Sequence, residues 1–332
     1  MTVKTAVLVT GGAGFIGSHA CKALHDHGFL PVTFDNLSTG HAHAVKFGPL
    51  VEGDVRNSSA LAAAIRTHEA RAVLHFAASA YVGESMRDPA KYYDNNLGGM
   101  IGVLNACQAT GIGDIVFSSS CATYGVPKTL PITEQSTQEP INPYGRTKLM
   151  CEQMLMDHAA AYGLRYAILR YFNAAGADPD GALGEHHSPE THLIPLALMA
   201  ASGKGAPLSV FGTDYPTPDG TCVRDYIHVA DLAHAHVAAL ARLQAGEASF
   251  AVNLGTGTGI SIRQLLDAIA RITGQPVPAQ YGERRPGDPA ALVADPSLAR
   301  QLLGFEAKHS DLGSILRHAA PWFGLVLAGQ PA

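Results

Sequence analysis

The chain has 332 residues, 47% apolar and 15% charged, which suits one large globular domain or two sharing a cleft and excludes an intrinsically disordered chain. A formal net charge of −5 gives no global field for nucleic acid or an anionic membrane, so any phosphate must be held by local cations and backbone amides. The five scattered cysteines form no C-x-x-C pair, which argues against a disulfide framework or zinc site, and no apolar run approaches the ~20 residues of a membrane span. The N-terminus enters a strand at once, without the basic and apolar segments of a signal peptide, so a reducing cytoplasm is the expected compartment. Sixteen histidines include the close pairs His41/His43, His186/His187 and His234/His236. None is read as having carboxylates or cysteines at ligand spacing; all are expected to be surface or core residues, and no metal is expected.

In chain order, Thr5–Thr10 is a β-branched apolar run that predicts a buried parallel strand. It stops at Gly11-Gly12-Ala13-Gly14-Phe15-Ile16-Gly17. In such a turn Gly11 permits the bend, Gly14 lets the backbone approach a pyrophosphate, and Gly17 allows close helix–strand packing. The helix expected over about 15–27 then points its N-terminus at the diphosphate. A second strand, 31–34, ends at Asp35, eighteen positions after Gly17, where such folds bind the ribose hydroxyls of NAD. A carboxylate there repels a 2′-phosphate and favours NAD over NADP.

The strand–helix alternation continues. Residues 51–55 read as a strand end, with Asp54 and the Val55 amide placed to meet an adenine. An Ala-rich helix follows over 58–69, then a strand over 72–77 running through Phe76 and Ala77 into the loop 78–85. Carboxyl edges of this kind hold cofactors in doubly wound sheets. Asn95, after the break at Asp88-Pro89, reads either as a ligand-binding amide or as a helix cap. The strand 114–117 ends in Ser118-Ser119-Ser120. Serines there serve either a turn or a substrate oxygen that gains or loses a proton, with Ser120 the leading candidate.

Pro143 suits the first position of a helix, and on that helix Tyr144 and Lys148 lie one turn apart on one face. Tyrosine, with a reference pKa of about 10, is a poor base at neutral pH. An ammonium at ~4 Å with an effective dielectric near 20 contributes about 4 kcal/mol, or roughly three pKa units. Desolvation works against this, whereas a second cation, such as an oxidised nicotinamide, adds to it. Beyond Lys148 the helix is apolar round more than one face, which predicts burial on its own sheet and on a partner subunit.

The stretches TGGAGFIGSH, FDNLS, EGDVR, HFAASAYVGES, YYDNN, SSSCATYG, NPYGRTK, RYFNAAG, HLIPLAL, FGTDYPTPDGTCVRDYIHV and RRPGDP together resemble the extended short-chain dehydrogenase/reductase superfamily. Within it they most resemble the UDP-glucose (UDP-galactose) 4-epimerase family, over nearly the whole chain. The resemblance implies a Rossmann-type doubly wound α/β fold with a smaller α/β substrate domain. It assigns residues 1–173 plus about 225–255 to the NAD domain, and about 174–224 plus 256–332 to the UDP-sugar domain. It implies Tyr144 as acid/base, Lys148 on the nicotinamide ribose, and Ser120 at the sugar 4-hydroxyl. Hydride passes from C4 to NAD and returns to the other face of a 4-keto sugar, so NAD stays bound. Expected cofactor contacts also include Phe15, Ile16, Asn36, Phe76, Ala77, Asn95, Ser118 and, at the nicotinamide end, Tyr171. Cys121 and Ala122 stand where dehydratases and decarboxylases carry acidic groups, and neither can do that proton work.

In the second half, the strand over 166–173 delivers Asn173 toward the substrate diphosphate, and 174–184 form a long Gly, Pro and Asp segment suited to closing over substrate. By the resemblance His192, Leu193 and Phe211 grip uridine. Arg224 and Arg285 can fork onto phosphate, and Asp288 can accept from ribose hydroxyls. A helix is expected over 230–243 and a strand over 249–254. The second glycine run, Gly255–Gly259, precedes Ser261 and an apolar helix over 262–273, and reads as a capped structural connection. Leu292 replaces a tyrosine found in some of these epimerases, which enlarges the expected hexose pocket toward N-acetylated sugars. Ala80 replaces a lysine, so that phosphate contact must come from elsewhere. CATYG and INPYG resemble the branch acting on UDP-arabinose. An NAD-dependent nucleotide-sugar reductase and a non-catalytic NAD sensor are the alternatives of different class. Asp35 speaks against an NADPH reductase, and Ser120, Tyr144 and Lys148 speak against a sensor. The family also implies a homodimer through the helices after Asn96 and Tyr144.

Overall fold

The run Ala6–Thr10 is buried at all five positions, as a strand covered on both faces must be. The computed structural model describes residues 4–285 and 288–329; Pro286 and Gly287 of the RRPGDP stretch lie outside the described residues. The strands are β1 (Ala6–Thr10), β2 (Leu30–Asp35), β3 (Leu50–Glu52), β4 (Ala72–His75), β5 (Asp114–Ser120), β6 (Arg165–Tyr171) and β7 (Asn173–Ala175). They continue with β8 (Leu208–Phe211), β9 (Val223–His228), β10 (Phe250–Leu254), β11 (Gly259–Ser261), β12 (Ala279–Gly282) and β13 (Ala291–Leu292). The first six helices are α1 (Phe15–Asp26), α2 (Ser58–Thr67), α3 (Val82–Arg87), α4 (Pro89–Tyr92), α5 (Gly98–Thr110) and α6 (Pro143–Tyr162). The remainder are α7 (Leu193–Ala201), α8 (Val229–Gln244), α9 (Ile262–Thr273), α10 (Ser297–Leu303) and α11 (Leu312–Ala319).

Seven strands form one sheet in the order β10-β6-β5-β4-β1-β2-β3. All of its pairings are parallel. The order reverses between β1 and β4, which opens a crevice at their carboxyl ends, where doubly wound sheets bind ligands. Side chains alternate along each strand. Leu8 therefore joins one core layer, with Leu61, Met100, Leu104 and Leu155 from α2, α5 and α6. Val7 and Val9 join the opposite layer, with Ala20, Leu24, Leu232 and Leu240 from α1 and α8.

The chain leaves this sheet two residues earlier than its hydrophobic pattern suggests. The strand expected over 166–173 ends at Tyr171, and Asn173–Ala175 pairs instead with β9, beside β11 and β13. A parallel pair, β8 with β12, and helices α7, α9 and α11 enclose a third core around Leu198, Val210, Leu265, Ile269 and Ile315. Residues 297–305, given by sequence to the substrate part, pack Ala299 and Phe305 into the layer of α8 and β10. The second glycine run carries no helix-bound phosphate cradle. Ser261 caps α9 in a reciprocal capping box with Gln264, and the buried Asp225 accepts from the Thr256 and Gly257 amides.

Candidate active site

A cavity of about 1130 Å³ runs along the crevice, larger than the 300–1,000 Å³ typical of one small-molecule pocket. At one end lies the turn after β1. Gly11 has φ +74°, and a Cβ there would meet the Ala77 nitrogen at 2.6 Å. A Cβ on Gly17 would meet the Gly11 carbonyl oxygen at 2.1 Å, so the helix seats directly on the turn. No side chain caps α1, whose first turn faces the cavity through Gly14, Phe15, Ile16 and Gly17. An uncapped helix N-terminus of this kind is a ready anion site.

Asp35 is buried at the end of β2 and accepts from the Ala13 amide at 3.0 Å and the Leu37 amide at 2.9 Å. A carboxylate has about four acceptor sites, so two remain for ribose hydroxyls. Burial raises its pKa, and the two amides oppose that rise. Asn36, Val55, Phe76 and Ala77 line the same end. Asp54 does not line the cavity; its carboxylate is held by Arg56 and Asn36. The glycine turn, the free helix end and the acidic residue together fit a dinucleotide.

The middle of the cavity is built by β5 and α6. Asn142 accepts from the Gly145 amide at 2.8 Å, Pro143 follows at the first helical position, and so Tyr144 and Lys148 are presented on the face toward β5. Strand alternation sorts the serines. Ser118 and Ser120 line the cavity, whereas Ser119 turns away to hydrogen-bond Glu152. Ser118 Oγ lies 2.8 Å from the Tyr171 hydroxyl, and Ser120 Oγ accepts from the Ala122 amide at 3.1 Å. Cys121 and Ala122 also line the wall. Asn95 lies inside a single π-helical turn, Tyr93–Leu97, continuous with α4 and α5, so the helix-cap alternative does not hold. Such turns recur at functional sites.

The expected lowering of the tyrosine pKa is not a property of the chain by itself. Lys148 Nζ donates to the Ser118 carbonyl at 2.8 Å and lies 5.9 Å from the centre of the Tyr144 ring. Burial pushes the Tyr144 phenol up, with the nearby Ser120 hydroxyl pulling the other way. Burial also brings Lys148 down to about 8. Burial thus works on both partners: it makes the phenol harder to deprotonate and the neighbouring ammonium less persistently charged.

At the far end, Asn173, His192, Leu193, Phe211, Arg224, Arg285, Asp288 and Leu292 all line the cavity. Asn173 Nδ2 donates to the Asp225 carbonyl at 2.9 Å. Arg224 pairs with Asp288, and the Arg285 guanidinium lies 4.5 Å over the Phe211 ring. Leu292 is paired in register with Arg224 and packs against a small cluster that includes Tyr124 and Phe172. The reading of the histidines needs one correction. Glu185 and Glu190 bring carboxylates to His187 and His192 in the wall of this cavity. The signal is the spacing E-x-H-x-x-E-x-H over 185–192, which the adjacent pairing of His186 with His187 obscures.

Residues 7–255 match the model of the NAD dependent epimerase/dehydratase family. The chain is 54% identical over 316 residues to a UDP-glucose 4-epimerase of Rhizobium meliloti (strain 1021), covering 95% of this chain and 96% of that one. Among solved structures it is similar to the UDP-glucose 4-epimerase from Brucella ovis in complex with NAD, with a TM-score of 0.96 and 59% identity over 97% of this chain and 99% of that one. A UDP-glucose 4-epimerase from Stenotrophomonas maltophila, with bound NAD and formylated UDP-arabinopyranose, matches at a TM-score of 0.93 and 43% identity over 96% of this chain and 98% of that one. The chain therefore belongs to the NAD dependent epimerase/dehydratase family.

Proposed function

We propose that the chain is a UDP-glucose 4-epimerase, an NAD-dependent isomerase that interconverts UDP-galactose and UDP-glucose. The observation that carries this reading is one continuous cavity, joining a dinucleotide turn to Ser120, Tyr144 and Lys148 with no acidic side chain at Cys121 or Ala122. When bound, NAD supplies a hydride acceptor for the sugar C4 and a positive charge beside the phenol. Tyr144 takes the O4 proton and later returns it, and Ser120 holds that oxygen by a hydrogen bond. Lys148 orients the nicotinamide ribose and keeps a cation near Tyr144 as its proton leaves. Asp35 takes the adenosine ribose hydroxyls, and the first turn of α1 takes the cofactor diphosphate. Arg224, Arg285 and Asn173 hold the UDP diphosphate, Asp288 the uridine ribose, and Phe211 with His192 and Leu193 the base. Cys121 and Ala122, next to Ser120, offer no acidic group for elimination or decarboxylation, so the 4-keto intermediate turns over rather than losing water or carbon dioxide.

We also infer a homodimer through α5 and α6. Ile101, Met150 and Met156 expose large apolar surface on these two helices, as a shared face requires. No helix among the described residues is long and apolar enough to cross a membrane. All five cysteines are free and buried, in keeping with a reducing cytoplasm.

Purified protein, assayed without added cofactor on UDP-galactose, UDP-N-acetylgalactosamine and UDP-arabinopyranose, is expected to convert UDP-galactose to UDP-glucose. No conversion of any of the three, with NAD bound, would overturn the epimerase reading in favour of a reductase or a sensor.

A further inference from the structure

Four side chains from the segment between β7 and α7 converge where it crosses the cavity wall. Glu185, His187, Glu190 and His192 each offer one ligand atom, and these atoms all lie within 4.8 Å of one another. His192 Nδ1 is 2.9 Å from a Glu190 oxygen and 3.2 Å from a Glu185 oxygen. His187 Nδ1 is 3.4 Å from an oxygen of each glutamate. Metal bonds of ~2.0–2.2 Å to nitrogen and oxygen give tetrahedron edges of about 3.3–3.5 Å. Three of the four measured separations lie close to that range.

Hydrogen bonding accounts for Glu190, whose Oε1 accepts from the Thr191 and His192 amides and lies 2.9 Å from His192 Nδ1, but not for Glu185 and His187. The Glu185 side chain is only 4% exposed, and no described donor meets it with hydrogen-bond geometry. The His187 Nδ1 atom is buried and likewise lacks a partner, although two carboxylate oxygens flank it at equal distance. A proton on that nitrogen serves one oxygen at best, whereas a cation between the four groups serves all of them. Two carboxylates match a divalent ion in charge once the imidazoles are neutral, so metal binding displaces the proton that Glu185 and Glu190 otherwise hold on His187. Two nitrogen and two oxygen donors in a closed set suit Zn²⁺ above Mg²⁺ or Ca²⁺, which take oxygen ligands in larger number.

We propose that Glu185, His187, Glu190 and His192 form a four-coordinate site for a divalent transition cation, with zinc the best fit. Bound there, the ion staples the segment 185–192 to itself, with the His187 ring packed edge-on against Phe15 and Tyr81 at 6.2 Å. Its role is structural, because a closed ligand set leaves no position for substrate.

The test is a titration of chelator-treated full-length protein with Co²⁺ alone, followed by competition with Zn²⁺. One equivalent per chain with the intense visible absorption of four-coordinate cobalt, displaced by Zn²⁺ and accompanied by a higher melting temperature, is the expected result. Glu185→Gln and His187→Gln should each weaken binding by at least about 100-fold. Weak cobalt binding with the pale spectrum of a six-coordinate ion, or affinity unchanged in both variants, would overturn the proposal and leave a salt-bridged loop. Should either variant fail to fold, the wild-type spectrum decides alone. These readouts do not depend on catalysis, so they stand apart from the epimerase assay.

Discussion

At the residue scale the proposed chemistry turns on how Tyr144 would lose a proton. Burial raises its pKa and also brings Lys148 down to about 8, so the cation that would help the proton leave is itself less persistently charged. The bound cofactor's charge must supply the remainder. Tyr144→Phe is expected to lower kcat by about 10²–10⁴-fold with NAD still bound, and Ser120→Ala by less, because it removes a hydrogen bond rather than the acid/base. Single-turnover reduction of the bound cofactor by UDP-galactose measures both. A fall in KM-dependent binding alone, with kcat intact, would remove Tyr144 from the chemistry. A specificity role for another single residue, Leu292, is directly testable. Leu292→Tyr narrows the wall beside Arg224 and is expected to suppress any activity on UDP-N-acetylgalactosamine while sparing UDP-galactose. Equal loss on both substrates would rule out a role for this wall in sugar choice. Ser120 was legible in the sequence because a strand's carboxyl edge and period-2 alternation are local facts, and the same alternation explains why Ser119 belongs elsewhere.

At the element scale, what holds β5, β6 and α6 in register is a buried polar network that no local pattern announces. Arg170 of β6 pairs with Glu152 of α6 at 2.7 Å, with side chains 5% and 0% exposed. The guanidinium also donates to the Tyr124 hydroxyl at 2.9 Å, which in turn donates to Asn253 on β10. The Ser119 hydroxyl completes the Glu152 shell. Glu152→Leu leaves a buried guanidinium without its counter-charge and is expected to cost about 3–5 kcal/mol in urea unfolding. The double variant Glu152→Leu/Arg170→Met should recover most of that loss, because two apolar side chains need no charge partner. If the double variant were as unstable as the single, packing rather than charge would be the cause. The strands and the glycine turn were readable because their signals repeat within a few residues. Asp225 was not: its carboxylate bridges the Thr256, Gly257 and Ala294 amides, partners 31 to 69 positions away. For the same reason the departure of the chain at Phe172 into a second sheet could not be read from its apolar run.

At the scale of the whole molecule, the layers on the large sheet bury His19, His75 and His236, and the end of β9 in the smaller sheet buries His228. His19 and His236 are held down to about 4, and His75 and His228 to about 3, in each case chiefly by burial. The Lys148 charge adds to the effect on His75, while Asp178 works against it at His19. An unfolded histidine titrates near 6.5, so between pH 6.5 and 4 the unfolded chain binds protons that the folded chain refuses. Stability is therefore complete above about pH 6.5 and falls as the pH drops toward the folded values. A shift from 6.5 to about 4 corresponds to roughly 3 kcal/mol for each of His19 and His236 as an upper bound. Buried Asp35 and Asp225, whose pKa values are raised by burial, oppose this: the folded chain takes up their protons above the ordinary carboxylate range, which tempers the decline without reversing its cause. The urea midpoint is accordingly expected to decline from pH 6.5 toward 4.5. His236→Gln, which keeps a donor for the Leu232 carbonyl without a titrating ring, should flatten the decline. A midpoint constant across that window in the wild type would mean that these rings are protonated within the fold, and the layers packed around them would then have to be open to water.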